Sequence, residues 1–167
     1  MYREGDVAPL TILITLTDTK STAEEVFWSN QAILTNHLDS PREVAIEKIS
    51  PIALAYLGDA IYELYIRNRL LLPLKKISDY HQQVVRQVKA EAQAIHLESI
   101  SACLTPQEQE IIRRGRNAAN HKPKRVSAKI YQQASSLETL IGYLYLTNSD
   151  RLQELLQKLN ISTDFDD

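Results

Sequence analysis

Residues 54–67 read LAYLGDAIYELYIR, an apolar stretch with helical periodicity in which Asp59 follows a glycine. Ser50 followed by Pro51 is typical of an N-cap and a first helical residue, and the pair predicts a helix over residues 51–71. Four aliphatic residues form the apolar stripe of this helix: Leu54, Leu57, Ile61 and Leu64. Because glycine and proline are scarce elsewhere as well, we predict an all-α fold.

Four further helices are predicted downstream. Their bounds are Ser78 to about Ser101, Thr105 to about Gly115, Lys129 or Gln132 to Leu146, and Ser149 to about Leu159. The first of these carries four apolar residues on one face: Val84, Val88, Ala92 and Ile95. Thr105, Pro106 and Glu108 form a capping box with proline at the first helical position, and Ser78 and Ser149 are predicted caps.

The first 45 residues give a mixed signal. Residues 11–17, TILITLT, have the β-branched content of a strand, whereas residues 23–34 show a weak helical pattern. We expect a small N-terminal appendage of uncertain structure there and a frayed tail over residues 161–167. The apolar residues 10–16 are interrupted by threonines and no cleavage site follows, so neither a membrane span nor a signal peptide is expected.

The single cysteine, Cys103, limits both the chemistry and the compartment. It has no partner for an internal disulfide and belongs to no CxxC pair, so a structural zinc site is not expected. A reducing cytoplasm fits best. The chain also lacks a glycine-rich phosphate loop and a GxSxG motif, which argues against nucleotide-binding α/β folds and covalent acyl transfer.

Although the net charge of the chain is −2, its middle segment is basic. Residues 50–149 carry 13 Lys or Arg against 8 Asp or Glu, whereas residues 1–49 carry 4 against 8 and residues 150–167 carry 2 against 5. Only charges within a Debye length, about 8 to 10 Å, are felt strongly, so such segregation can present a positive face to a polyanion.

Asp59 lies in an apolar segment of sequence, where an ionised carboxylate lowers stability unless it has a partner. A buried carboxylate must be paired, hydrogen-bonded or bound to a cation, because burying it alone costs several kcal/mol or forces protonation. Gly58 beside it indicates close approach by another backbone. Two interpretations stay open on residue chemistry alone: a salt bridge to an arginine such as Arg116 or Arg86, or a metal site.

Glu138 stands in a similar setting within SSLETLIGYLYL, four residues before Gly142. If its helix packs on that of Asp59, both carboxylates can line one pocket and hold a hard divalent cation through oxygen ligands. An exposed glutamate on a helix rim is the alternative. Glu63, one turn after Asp59, either shares the site or is a surface residue.

Residues 113–129, RRGRNAANHKPKRVSAK, contain seven Lys or Arg and no acid. The candidate RNA-binding residues are Arg113, Arg114, Arg116, Asn117, Lys122, Lys124, Arg125 and Lys129. Aromatic residues are not interleaved with the cations, which favours shape recognition of a duplex over single-strand binding. A merely solvated loop is the alternative. The other histidines, His37, His81 and His96, lack metal-ligand spacing and are expected on helix surfaces.

Four segments together resemble ribonuclease III, and most closely its small bacterial branch, mini ribonuclease III, which lacks a double-stranded-RNA-binding domain. They are LAYLGDAIYELYIR at 54–67, VKAEAQA at 88–94, LTPQEQEIIRRGRNA at 104–118 and LETLIGYLYL at 137–146. The resemblance implies a helical catalytic domain over residues 46–160, with residues 1–45 outside it.

The resemblance also implies a function. Family members dimerise through the helix that carries LGDA and cut double-stranded RNA with Mg²⁺, for which Mn²⁺ can substitute, leaving 5′-phosphate and 3′-hydroxyl ends. The family's four metal-binding acids fall on Ala55, Asp59, Ser135 and Glu138, so two of the four are replaced. The implied substrate is the precursor of large-subunit (23S) ribosomal RNA. A non-catalytic scaffold that binds structured RNA and a hydrolase of small phosphate esters are the alternatives.

Overall fold

Six α-helices occupy most of the chain described by the structure, a computed structural model that covers residues 46–119 and 126–161. They are α1 Pro51–Leu70, α2 Ile77–Val88, α3 Ala90–Ile100, α4 Pro106–Ala118, α5 Ala128–Thr147 and α6 Ser149–Gln157. Short 3₁₀ helices cover Ile46–Lys48 and Ser101–Cys103. No strand occurs within these two ranges, and the all-α prediction is confirmed. The predictions for residues 1–45 lie outside the described residues.

Local capping signals set several helix starts. The Ser50 hydroxyl accepts a hydrogen bond from the Ala53 amide at 3.1 Å, as predicted for α1. Both bonds of the predicted capping box at the start of α4 are present. The predicted cap Ser149 is wrong, because Asn148 caps α6 and Ser149 is already helical. The helix α5 begins earlier than predicted, since Ser127 accepts a bond from the Ile130 amide at 3.2 Å.

The long helix predicted from Ser78 to Ser101 is wrong: it is two helices, α2 and α3. Lys89 separates them with an extended backbone, φ −69° and ψ 153°. The break lets α3 pack on α5 while α2 packs on α1. It also changes the helical phase, so that Ile95 is 64% exposed and its neighbour His96 is 3% exposed. Ser78 lies inside α2 and caps nothing.

The core is built around α5, which packs most extensively on α1 and also contacts α3, α4 and α6. On α1 the buried face is centred on Ile61, Tyr62, Tyr65 and Ile66. The predicted stripe was correct for Leu54 and Ile61, and Leu57 is partly buried against the core, but the prediction was wrong for Leu64, which is exposed. In the described ranges, no helix combines the length and the apolar character needed to cross a lipid bilayer.

Two glycines allow α1 and α5 to touch through their backbones. A Cβ atom on Gly58 would lie 1.8 Å from the Glu138 carbonyl oxygen, and one on Gly142 would lie 2.1 Å from the Leu54 carbonyl oxygen. Real Cβ atoms do not approach backbone this closely, so both positions require glycine. This crossing fixes where Asp59 and Glu138 stand relative to each other.

A salt bridge ties the start of α4 to α6. The Arg151 Nε donates to Glu108 Oε1 at 2.8 Å, and its Nη2 donates to the Cys103 carbonyl at 2.7 Å. Glu108 is almost fully buried, and the hydrogen bond from Arg151 keeps the pKa of its carboxyl low. The capping glutamate of α4 is thus held ionised inside the fold.

Candidate active site

A cavity of about 280 Å³ opens between α1, α4 and α5. Asp59 and Ala55 line it from α1, and Glu138 and Ser135 line it from α5. The third wall contains Gly115 and Ala118 of α4 and Ala119, which follows it, and the small size of these residues leaves the space open. The four positions at which the resemblance placed metal-binding acids therefore share one cavity.

The local sequence explains why these side chains converge. Asp59 follows Gly58 at the helix crossing, and Glu138 presents its carbonyl oxygen to that glycine. On the third side, Gly115 would place a Cβ atom 2.5 Å from the Thr139 hydroxyl, so α4 also approaches closely. The Thr139 hydroxyl donates to the Ser135 carbonyl at 2.7 Å and is committed to the helix backbone.

Electrostatics in the cavity favour a cation. Burial, followed by the nearby charge of Asp59, raises the pKa of Glu138 to about 7, while a side-chain hydrogen bond from Gln93 lowers it. Asp59 is exposed to solvent, unlike the buried carboxylate considered from the sequence; partial desolvation still raises the pKa of its carboxyl, and the charge of Glu63 adds to the effect. Neither carboxylate forms an ion pair with a residue of the described ranges. Their repulsion is therefore uncompensated by protein cations there.

Three alternatives from the sequence can now be compared with the structure. Within the described residues Asp59 has no salt bridge to Arg116 or Arg86, so the structural interpretation of Asp59 receives no support. Glu138 is half-buried rather than on an exposed rim. Glu63 is ion-paired with Arg67, four residues later on α1, and does not line the cavity.

In the part of the chain that the structure describes, Asp59 and Glu138 have no third acidic or imidazole side chain beside them. Over residues 46–119 and 126–161, no three His, Cys, Asp or Glu side chains come together as a metal-binding group. Ala55 and Ser135 account for this, because each offers no carboxylate at its position on the cavity wall. Any cation held by Asp59 and Glu138 must complete its coordination with other oxygen atoms, such as water or substrate.

The arginines of α4 face away from this cavity. Arg113 and Arg116 line a separate groove of about 390 Å³ between α3, α4 and α5, and Arg113 is also paired with Glu110 at 2.6 Å. Arg114 lines another groove together with Glu47. Asn117 and Lys129 are exposed. The remaining candidates of the basic segment lie outside the described residues: Lys122, Lys124 and Arg125.

Two buried polar residues of α3 were missed by the sequence analysis. His96, expected at the surface, is buried; its Nδ1 lies 2.7 Å from the Tyr62 hydroxyl and its Nε2 lies 3.2 Å from the Asn160 carbonyl. Gln93 is 2% exposed. A usable signal existed for Gln93, because it precedes Leu97 and Ile100 at helical spacing, but it required the correct start of α3.

Comparison with known proteins identifies the fold and the activity. The model of the ribonuclease III domain matches residues 52–149, more than half of the chain. The chain belongs to the ribonuclease III family. As the LGDA resemblance predicted, the match covers the helices that build the cavity, and the protein is an endoribonuclease of the ribonuclease III type.

Individual ribonuclease III relatives carry the name Mini-ribonuclease 3. The protein of a Synechococcus species is 53% identical over 118 residues, covering 71% of this chain and 86% of its own length. The Staphylococcus aureus protein is 37% identical over 127 residues, covering 73% of this chain and 95% of its own length. A crystal structure of a Fusobacterium nucleatum protein superimposes with a TM-score of 0.62 at 31% identity, covering 66% of this chain and 91% of that one.

Proposed function

We propose that this enzyme hydrolyses double-stranded RNA in a reaction that depends on Mg²⁺, with Asp59 and Glu138 as its metal-binding and catalytic carboxylates. The observation that carries the proposal is the convergence of these two acids in one cavity, without a cationic partner among the described residues. Ribonuclease III enzymes act on double-stranded RNA and generally require a divalent metal. An enzyme of this family needs such a site, and the carboxylates of this cavity are of the kind that can form it.

The donor set fits a hard cation. Carboxylate oxygens are preferred ligands of Mg²⁺ and Mn²⁺, and a cation between Asp59 and Glu138 would relieve the repulsion that raises the pKa of Glu138. When bound, such an ion acidifies a water molecule and offsets the negative charge on the leaving 3′-oxygen. Both carboxylates must be ionised to hold it. The expected products carry 5′-phosphate and 3′-hydroxyl ends.

The remaining cavity residues give the scissile phosphate access. Gly115, Ala118 and Ala119 leave the α4 wall without bulky side chains. The Thr139 hydroxyl donates to the Ser135 carbonyl, so its proton is not directed at either carboxylate that could accept it. A water molecule is therefore the nucleophile that this arrangement favours, and no covalent enzyme intermediate is needed.

The outer face of α1 supports a homodimer. Ile52 and Tyr56 line the cavity and are nonetheless 65% and 84% exposed. A second copy of the chain that packs against the outer parts of these two side chains would bury apolar surface and still leave the two carboxylates open to RNA. Two cavities would then face the same RNA duplex, one for each strand.

We propose the precursor of large-subunit ribosomal RNA as the substrate, with the basic segment 113–129 contacting the phosphates.

Cleavage of a long RNA duplex by the purified protein tests the assignment. With Mg²⁺ present, Asp59→Asn and Glu138→Gln should each abolish cutting, because each removes one of two charged ligands. Glu63→Gln is the matched control: it removes a neighbouring acid on α1 that is paired with Arg67, and it should cut like the wild type. Full activity in either cavity variant, with the control also active, would contradict the proposal.

A further inference from the structure

Gln93 is an unusual residue for the helix interface that it occupies. It lies one turn into α3, is 2% exposed, and faces the interface between α3 and α5. Its Nε2 donates to the Val88 carbonyl at 3.1 Å. Its Oε1 is fully buried and has no hydrogen-bond partner within the described ranges. A buried acceptor without a partner lowers stability, whereas an apolar side chain of the same shape would not.

The break at Lys89 fixes the amide. Because α2 ends at Val88, the Val88 carbonyl has no helical donor and instead accepts one N–H of Gln93. A glutamine amide has two N–H donors, so the second remains available. Glu138 lies on α5, against which α3 packs, and a side-chain hydrogen bond from Gln93 lowers the pKa of the Glu138 carboxyl.

We propose that Gln93 is a positioning residue of the active site, whose amide is anchored on the Val88 carbonyl and holds the Glu138 carboxylate turned toward the cavity. This role rests on the proposed function of Glu138. The anchoring makes the contact directional: the amide cannot rotate without losing the bond to Val88. It also explains why a polar side chain with an unsatisfied oxygen is retained where a leucine would fit.

Gln93→Leu is the decisive variant, because it removes both the donor and the orphaned acceptor at similar volume. It should melt at the same or a higher temperature than the wild type. Its kcat on duplex RNA and its affinity for Mn²⁺ in the absence of RNA should both fall, by about 10- to 100-fold, as is typical when a partner of a metal ligand is removed. Its KM for RNA should be unchanged, since Gln93 is buried.

Two further variants separate positioning from packing. Gln93→Glu keeps the shape but replaces the donor by an acceptor, so its kcat and Mn²⁺ affinity should be at least as low as those of Gln93→Leu. Gln83→Leu replaces another buried glutamine, which lies on α2 and accepts a hydrogen bond from Lys75 at 2.7 Å through its Oε1. This variant should change neither kcat nor the affinity for Mn²⁺. Wild-type kcat and Mn²⁺ affinity in Gln93→Leu or Gln93→Glu would overturn the proposal.

The Mn²⁺ titration also distinguishes failure of this inference from failure of the proposed function. If Glu138→Gln loses Mn²⁺ binding and cleavage while Gln93→Leu keeps both, only the role of Gln93 is wrong. If Glu138→Gln keeps both, the metal site itself is wrong. The double variant Gln93→Leu with Glu138→Gln should bind Mn²⁺ no more weakly than Glu138→Gln alone, because Gln93 acts through Glu138.

Discussion

Gly58 on α1 lies so close to Gly142 on α5 that a Cβ atom on Gly58 would stand 2.8 Å from the Gly142 amide nitrogen. The same atom would stand 1.8 Å from the carbonyl oxygen of Glu138. The contact between these two glycines therefore has two structural consequences. It brings the helices into backbone contact at the centre of the fold, and it sets the separation of the two carboxylates.

Gly58→Ala should destabilise the protein by more than about 3 kcal/mol, above the usual range for overpacked cores, because the obstacle is backbone that cannot rotate away. In an exposed helix the same change would add about 1 kcal/mol of stability. Gly115→Ala is the matched control, since its main obstacle is the Thr139 side chain, and it should cost less. Urea denaturation of both variants measures the difference, and an equally stable Gly58→Ala protein would contradict the crossing geometry.

The raised pKa of Glu138 makes the metal-free protein sensitive to pH. Its folded pKa of about 7 exceeds the unfolded value of 4.5, so this group stabilises the fold at low pH and the contribution is lost as the pH rises through 7. Glu138→Gln should therefore be more stable than the wild type at pH 8 without metal, on the order of 2 kcal/mol, and should gain nothing at pH 4. Mg²⁺ at pH 8 should stabilise only the wild type. If the stability of the two proteins changed with pH in parallel, the raised pKa could not be assigned to Glu138.

His96 should make the stability of the fold depend on pH in the opposite direction. Burial lowers its pKa, and the hydrogen bond to the Asn160 carbonyl opposes that shift only in part. The unfolded state then binds protons more readily, so the stability that depends on neutral His96 is present above pH 6.5 and is lost as the pH falls. The loss of unfolding free energy between pH 7 and pH 5.5 should be smaller in His96→Gln than in the wild type. His81→Gln, on the exposed surface of α2, is the control and should leave that loss unchanged.

The errors over α2 and α3 share one physical cause, whereas the starts of α5 and α6 were misplaced because their caps, Ser127 and Asn148, were not recognised. Helix starts were predicted where one side chain caps the backbone, as at Ser50 and Thr105, because such signals are local. The break at Lys89 carries no glycine or proline, and it exists because α3 packs on α5 and α2 on α1. Missing it displaced the phase of α3, so His96 and Gln93 were not recognised as buried. The sequence singled out Asp59 and Glu138 because an acid near a glycine in an apolar helix is visible without tertiary structure, and the structure places both acids on the wall of one cavity.

The exposed cations should control how RNA affinity depends on salt. Each phosphate contact contributes about 0.7 to 0.9 to the slope of log K against log salt concentration. Arg116→Ala and Lys129→Ala should each reduce that slope and weaken binding without lowering kcat at saturating RNA, because Arg116 lines a groove apart from the carboxylates. Lys158→Ala, an exposed cation paired with Glu154 on α6, should leave the slope unchanged. If the salt slope were the same in all three variants, the basic segment would be solvated surface that does not contact RNA phosphates.

Ala55 and Ser135 determine how much charge the cavity can hold. Both line it beside Asp59 and Glu138, at the positions where the family resemblance places two further acids. With only two carboxylates, we expect one tightly bound cation per chain, because each further cation needs additional anionic ligands to offset its charge. Restoring the acids with Ala55→Glu and Ser135→Asp should raise the number of Mn²⁺ ions bound per chain, measured by calorimetric titration.

The same double variant should be less stable without metal, since four carboxylates in one cavity repel each other, and should regain stability when Mn²⁺ is added. Gln82→Glu combined with Gln157→Glu adds two acids at exposed positions outside the cavity and serves as the control, with no expected change in stoichiometry. An unchanged Mn²⁺ count in the double variant, together with normal folding, would mean that Ala55 and Ser135 do not limit the metal site and that the coordination of Asp59 and Glu138 is completed elsewhere.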